Sequence, residues 1–317
     1  MAILGALIRQ SDVLVENFKL GTLERWGFGN DRLAADAPGL IRCSISGYGS
    51  EGPKAGQPGY DFILQAESGL MSICGEPAGA PTKYGVAIVD VCTGMLACNS
   101  ILAALYARHR TGRGQHVEVS LHETSLAMLA NVASSYLVAG KDGGRFGNGH
   151  PSIVPYTTYP TRDGMVAVAV GNDAQFARFA EAVGHGEWAR DPRFVRNRDR
   201  VVHRDLLDGL IADALRADVA GAWTAKLQAM GVPCGRINSV AQALDDPHTA
   251  ARGMVETVEH PTIGALRLLG IPFTLHGTPA TVRRPPPTLG QHTEEILRES
   301  LEMTDQRIDE LRAHGVV

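Results

Sequence analysis

The sequence has few cysteines and no pattern that would join them. Its 317 residues include five cysteines, an odd number, and none of them belongs to a CxxC pair. This argues against a disulfide framework or a cysteine-based zinc site, and it favours a reducing, cytoplasmic location. None of the 11 histidines lies in a metal-binding spacing such as HExxH, so the sequence predicts no metal site.

An excess of one charge is also absent, and so are long apolar runs. The chain carries 34 acidic and 30 basic residues, with no stripe of basic and aromatic residues, which argues against nucleic-acid binding. Apolar runs such as residues 101–107 are too short to cross a bilayer. Residues 1–8 are apolar but lack the basic flank of a signal peptide, so they predict one face of a helix. We therefore expect no membrane partner.

The glycine loops that bind phosphate are missing as well. No GxxxxGK[ST] motif occurs, and residues 47–52 spell GxGxxG only in isolation. Pro53 and Pro58 follow closely, and they prevent the helix that a dinucleotide-binding turn must open. No serine nucleophile elbow is present either, which removes the easily recognised hydrolases.

What is present is an alternation of short apolar runs and helical stretches. Residues 12–18, 40–46 and 116–121 are predicted strands, and their spacing predicts a mostly parallel α/β sheet. After about residue 145, residues 156–170 predict a β-hairpin with Asp163 and Gly164 in its turn. Helices are predicted through residue 227, followed by short strands past residue 250 and an amphipathic helix from about Thr293.

Asp90 is the leading candidate for chemistry. It follows the apolar residues 86–89 and precedes a predicted helix over residues 93–108, which indicates a strand-to-helix junction. Ligands of parallel sheets bind at this edge, and a helix N-terminus favours the ionised carboxylate that a nucleophile needs. A simple N-cap explains the same position equally well.

Two further segments have the composition of ligand-binding loops. Asn17 and Phe18 follow the first predicted strand, and Arg25 lies on a cationic helix face, which together suit an adenine ring and phosphates. Arg25 as a solvated helix charge remains the alternative. Gly147, Asn148, Gly149 and His150 form a flexible loop that can close on a substrate, although His150 could instead bond a backbone carbonyl.

Several of these stretches occur together in one known family. The sequence resembles the class III CoA-transferases, the formyl-CoA and carnitine CoA-transferase family, across essentially its whole length. Residues 145–156 and 284–287 are most similar to the succinate–hydroxymethylglutarate type. The segments that carry the family resemblance are residues 12–18, 46–53, 59–61, 68–71, 90–94, 110–115 and 289–293.

The resemblance implies transfer of CoA from an acyl-CoA donor such as succinyl-CoA to a carboxylic or dicarboxylic acid. Asp90 matches the family's aspartate, which forms an acyl anhydride and then an aspartyl-CoA thioester. No tightly bound cofactor is implied, because CoA thioesters are substrates. The loop of Gly147, Asn148, Gly149 and His150 matches a mobile loop that shields the intermediate. Positions that hold CoA in the family match Asn17, Phe18, Lys19, Arg25, Gln57, Pro58, Gly59 and Tyr60.

The resemblance also implies an architecture. It predicts an α/β fold with a Rossmann-like large domain, a smaller α+β domain and a homodimer of interlocked subunits. Residues 1–144 would begin the large domain, residues 145–246 would form the small domain, and residues 247–317 would return to the large one. The family's first strand and helices, with some CoA contacts, have no counterpart in the sequence.

Two alternatives remain. The related α-methylacyl-CoA racemases exchange an α-proton, and they carry a histidine before the aspartate that matches Asp61. Tyr60 occupies that position here, which argues against racemisation. The other alternative is a truncated chain that binds CoA without catalysing transfer.

Overall fold

The computed structural model describes residues 1–317, which divide into two compact units, Met1–Asn148 and Gly149–Val317. The first unit contains a parallel sheet in the order β1–β2–β3. The strands predicted over residues 12–18, 40–46 and 116–121 are confirmed, within two residues at each end. They are β1 (Val13–Glu16), β2 (Ile41–Ser46) and β3 (His116–Ser120).

Helix α5 covers one face of this sheet. Cys43 and Val119 on that face pack against Ala97 of α5, with Ile101 beside them. Because side chains alternate along a strand, the residues between these apolar positions line the opposite face, which is polar. The helices of the unit are α1 (Ala2–Gln10), α2 (Thr22–Arg25), α3 (Asn30–Asp36), α4 (Asp61–Glu67), α5 (Ile88–Thr111), α6 (Leu121–Met128) and α7 (Ala130–Ala139), with a 3-10 turn at Met71–Ile73.

The second unit is built around an antiparallel sheet in the order β4–β5–β6. The predicted hairpin is confirmed, with Pro160 paired to Met165 and the Thr161 N–H donating to the Gly164 carbonyl. Buried residues such as Phe176 and Leu207 form its core. Its elements are β4 (Tyr156–Pro160), β5 (Met165–Ala169), α8 (Asp173–Ala182), a 3-10 turn (Gly186–Arg190), α9 (Asn197–Val202), α10 (Arg204–Leu215), α11 (Ala220–Ala229), β6 (Cys234–Arg236), α12 (Val240–Leu244), α13 (Pro247–Ala251), β7 (Val255–His260), β8 (Gly264–Leu269), α14 (Thr293–Glu295), a π-helical turn (Ile296–Ser300) and α15 (Asp305–Ala313).

One predicted element is wrong. Residues 86–89 form no strand, and α5 begins at Ile88 instead of near Thr93. Asp90 therefore lies inside the first turn of the helix. A short apolar run is compatible with either a strand or a buried helix end, and contacts from elsewhere in the chain decide between them. The predicted return of residues 247–317 to the large domain stays a prediction.

Helix α5 is also longer and more apolar than the runs considered in the sequence. By length and composition alone it could cross a bilayer, and 22% of its most apolar window is buried. A single helix of this kind is weak evidence, because core helices of soluble proteins meet the same criteria. Its exposed apolar side chains include Val91, Met95, Leu102 and Tyr106.

Candidate active site

A cavity of about 910 Å³ opens at the carboxyl ends of β1 and β2, beside the first turn of α5. This is where a parallel sheet offers its ligand site, because loops diverge there and helix N-termini point inward. From this edge the cavity runs along the polar face of the sheet as far as His116. Among the predicted site residues, it is lined by Asn17, Phe18, Lys19, Gln57, Pro58, Gly59, Tyr60 and Asp90.

Asp90 is exposed to this cavity and does not cap its own helix. The N-cap position of α5 is Ala87, and no side chain of the N-cap residue bonds the helix. The Asp61 carboxylate of α4 takes that place, since its Oδ1 accepts the Val89 N–H at 2.7 Å and the Asp90 N–H at 3.4 Å. The N-cap alternative for Asp90 is therefore wrong, and its carboxylate is left available to a ligand.

Asp61 is held by a network of its own. Gln65 Nε2, one helical turn further along α4, donates to Asp61 Oδ2 at 2.6 Å. Gln65 Oε1 accepts the Tyr84 N–H at 2.8 Å, which fixes the orientation of the amide. Asp61 and Gln65 are both buried. A buried carboxylate with partners on both oxygens is a rigid support for the helix start that carries Asp90.

The electrostatic setting of Asp90 differs from the expectation for a helix N-terminus. Partial burial and then the neighbouring Asp61 carboxylate raise the pKa of Asp90 above its usual value. Both effects disfavour the charged form of the carboxylate. An ionised carboxylate whose charge is poorly stabilised is a stronger base and a better nucleophile.

A pH prediction follows from this pair. The family resemblance predicts that Asp90 attacks the substrate as an ionised carboxylate, so adduct formation is expected to decline as pH falls through its raised pKa. Asp61→Asn removes a negative charge, so the pKa of Asp90 will fall. The acid limb of the pH–rate profile, which is the pH range where adduct formation declines, will then move to lower pH. Single-turnover rates of CoA-adduct formation at saturating succinyl-CoA, measured against pH, check this. Glu51→Gln changes a cavity carboxylate outside the network and should leave the limb in place. An unmoved limb in Asp61→Asn contradicts the prediction.

The predicted CoA-binding residues of the first loop are only partly brought together. The Phe18 N–H donates to Glu16 Oε2 at 2.8 Å, and the Phe18 ring packs edge-on against Trp26 at 5.1 Å. Lys19 is exposed and supplies a cation at the cavity wall. Arg25 does not line the cavity, and its Nη2 donates to Thr22 Oγ1 at 2.7 Å. The solvated-charge alternative for Arg25 therefore fits this structure better.

Residues 57–60, the second predicted CoA-binding segment, are positioned by a close contact between two glycines. A Cβ built on Gly59 would lie 2.6 Å from the Gly47 Cα and 3.0 Å from Leu64 Cδ2. A Cβ on Gly47 would lie 2.7 Å from the Gly59 Cα. The backbones at these two positions touch directly, which seats residues 57–60 on the end of β2. Only glycine permits this approach.

Hydrogen bonds to residues 72–79 hold the start of the predicted glycine loop in place. The Gly147 N–H donates to the Gly75 carbonyl at 3.0 Å, and Gly147 has a φ of 57°. Arg145 donates to the carbonyls of Ser72, Glu76 and Gly79. In the second unit, His150 Nδ1 accepts the Ser152 N–H at 3.1 Å. Its ring therefore bonds backbone, although to an amide and not to the carbonyl that the sequence suggested.

The residues of the cavity wall that sequence reasoning missed include Asn30, Ser44, His116 and Glu118. The last three lie on the polar face of β2 and β3. Their signal was the period-two alternation of polar and apolar residues in both strands. A parallel strand buried on both faces is continuously apolar, so this alternation indicates an open, polar face.

Comparisons with known proteins identify the family of this chain. The sequence profile of CoA-transferase family III matches residues 1–293. The succinate–glutarate CoA-transferase of Agrobacterium fabrum is 40% identical over 94% of this chain and 74% of that protein. The human succinyl-CoA:glutarate CoA-transferase is 36% identical over 99% and 72%, respectively. A CaiB/BaiF family protein from Brucella suis superposes with a TM-score of 0.83, at 38% identity, over 94% of this chain and 78% of the other.

These matches confirm the family predicted from the sequence motifs, together with its α/β fold. The identities extend over most of the chain, and named relatives are CoA-transferases. The protein belongs to CoA-transferase family III.

Proposed function

We propose that this CoA-transferase moves CoA from succinyl-CoA to a dicarboxylic acid such as glutarate, with Asp90 as the covalent carrier. The observation that carries the proposal is the Asp90 carboxylate, which faces the cavity while Asp61 caps its helix. The two glutarate-acting relatives support the choice of donor and acceptor.

In the first half of the reaction, an Asp90 carboxylate oxygen attacks the thioester carbonyl carbon of the donor. The carbon–sulfur bond breaks, CoA leaves as a thiolate, and a mixed anhydride joins Asp90 to the donor acyl group. The thiolate then attacks the Asp90 carbonyl carbon. This step releases the donor as its carboxylate and leaves an aspartyl-CoA thioester, so the thioester energy is conserved.

In the second half, the acceptor carboxylate attacks the aspartyl thioester and forms a second anhydride, again expelling CoA thiolate. The thiolate attacks the acceptor carbonyl, which yields acceptor-CoA and restores the Asp90 carboxylate. No net proton is taken up. Both intermediates hydrolyse in water, so we assign the loop of Gly147, Asn148, Gly149 and His150 to shielding them.

A direct test incubates the protein with succinyl-CoA and a panel of mono- and dicarboxylic acids, and follows products by mass spectrometry. We expect glutaryl-CoA and free succinate in equal amounts. A parallel incubation of a branched acyl-CoA in deuterated water tests the racemase alternative. Deuterium at the α-carbon without CoA transfer to any acid would replace the transferase proposal with that alternative. Binding of CoA with neither reaction would favour the non-catalytic alternative.

We also propose that the protein is a homodimer, as the family resemblance predicts. The exposed apolar side chains of α5, and those of Leu137 and Val138 of α7, are solvated poorly by water and would be stabilised by burial against a second copy of the chain. Light scattering should give twice the 33.8 kDa mass of one chain. Leu102→Glu should shift the mass toward one chain because it buries a charge at the interface. Val202→Glu, at an exposed apolar position of α9, is the matched control. A monomeric wild type would refute the proposal.

A further inference from the structure

The polar face of the β1–β2–β3 sheet carries a series of side-chain hydrogen bonds that ends at Ser44, a residue of the cavity wall. In the strand register, Arg42 pairs with His116 and Ser44 pairs with Glu118, which places these side chains on one face. Ser44 Oγ lies 2.9 Å from His116 Nε2. On the other side of the ring, Asn30 Nδ2 of α3 lies 3.3 Å from His116 Nδ1. Arg42 Nη1 donates to Asn30 Oδ1.

Arg42 determines which group donates and which accepts in each of these hydrogen bonds. Arg42 can only donate, so it holds the oxygen of the Asn30 amide and turns the NH₂ group toward the histidine. An NH₂ group can only donate, so His116 Nδ1 must accept. The proton of the neutral ring is then on Nε2, which donates to Ser44 Oγ. The Ser44 hydroxyl hydrogen has no acceptor within the protein, and Ser44 lines the cavity.

The charges around Ser44 select what it can bind. Glu16, Glu24 and Glu118 line the cavity and act electrostatically on His116, the partner of Ser44, and Glu16 is level with Ser44 in the adjacent strand. Arg42, the cation on this face, is bonded to Asn30 and does not line the cavity, so a phosphate beside Ser44 would be repelled by the three carboxylates. A neutral amide is suited to this surface, since its carbonyl oxygen accepts from Ser44 while its N–H faces carboxylate oxygens. The pantetheine arm of CoA contains two such amides.

We propose that Ser44, oriented by Arg42, Asn30 and His116, is a specificity-determining residue that donates a hydrogen bond to an amide carbonyl of the pantetheine arm. The proposal rests on the proposed function only in taking a CoA thioester as the substrate. Ser44 contacts the substrate, whereas Arg42, Asn30 and His116 are positioning residues that act through it.

Calorimetric binding of three probes tests this assignment without relying on turnover. The probes are CoA, pantetheine and adenosine 3′,5′-bisphosphate. Ser44→Ala should weaken CoA and pantetheine binding by the same factor, about 5- to 30-fold, as expected for loss of one hydrogen bond. Bisphosphate binding should not change. Unchanged pantetheine affinity, or a loss confined to the bisphosphate, overturns the proposal. Wild-type protein that binds no CoA would instead refute the proposed function.

A second variant separates the directed series of hydrogen bonds from a merely structural contact. Gln at position 116 can accept from Asn30 through its oxygen and donate to Ser44 through its nitrogen, but it does not titrate. His116→Gln should therefore keep CoA affinity near that of the wild type at neutral pH. His116→Phe should lower it as Ser44→Ala does, with bisphosphate binding unchanged. Equal affinities in the Phe and Gln variants would overturn the orienting role.

The pH dependence gives an independent readout. Burial and Arg42 lower the pKa of His116, while Glu118, Glu16 and Glu24 oppose them. Protonation at acid pH places a hydrogen on Nδ1, facing the Asn30 NH₂ group, and disrupts the series of hydrogen bonds. Wild-type affinity for pantetheine should therefore fall as pH drops through the pKa of His116, and His116→Gln should remove that fall. The same acid loss in His116→Gln would contradict the assignment.

Discussion

Replacing Asp90 with alanine will abolish CoA transfer and remove the covalent CoA adduct from the protein. The carboxylate is the proposed nucleophile. It lies in the first turn of α5, whose start is held by the buried carboxylate of Asp61 and its partner Gln65. Loss of a covalent nucleophile typically lowers turnover on the order of 10³-fold or more. Asp90 is exposed, so we expect the free energy of unfolding to change by less than about 0.5 kcal/mol.

The measurement combines turnover with intact-protein mass spectrometry after brief exposure to succinyl-CoA. Peptide mapping should locate the adduct at residue 90 in the wild type. Glu51→Gln is the matched control because Glu51 is an exposed carboxylate of the same cavity. It should retain both the adduct and turnover. An adduct that persists in Asp90→Ala would assign the nucleophile to another residue.

Gly59→Ala will weaken binding of CoA thioesters at least about tenfold, although the change adds a single methyl group. Its Cβ would lie 2.6 Å from the Gly47 Cα, a backbone atom that cannot rotate away. Residues 57–60 must therefore lift from the end of β2. Overpacking of this kind costs about 1–3 kcal/mol, and the displaced segment includes four predicted CoA-binding residues.

Steady-state kinetics with succinyl-CoA should show the effect mainly as a raised KM, with a lowered thermal midpoint. Gly39→Ala is the matched control, since a Cβ there meets no atom within 4 Å. It should leave both quantities close to the wild type. If Gly59→Ala has wild-type KM, residues 57–60 do not form the CoA-binding wall.

Much of the first unit was determined by local sequence patterns. The three parallel strands were predictable because apolar runs bounded by turns need no distant partner to be recognised. Asp90, Asn17 and Phe18 were identifiable as residues of the cavity wall because loops at the carboxyl ends of parallel strands converge on one edge. The family motifs determined the general chemistry of CoA transfer.

The environment of those residues was decided only by tertiary structure. Asp61 lies 29 residues before Asp90, yet its carboxylate starts α5 at Ile88 and raises the pKa of Asp90. The series of hydrogen bonds that links Arg42, through Asn30 and His116, to Ser44 likewise joins α3, β2 and β3, and its partners are as many as 86 residues apart in the sequence. Hydrogen bonds between distant segments leave no periodic trace in the sequence. The sequence therefore identified Asp90 as the candidate nucleophile, whereas the fold determined which residue caps its helix and how its charge is tuned.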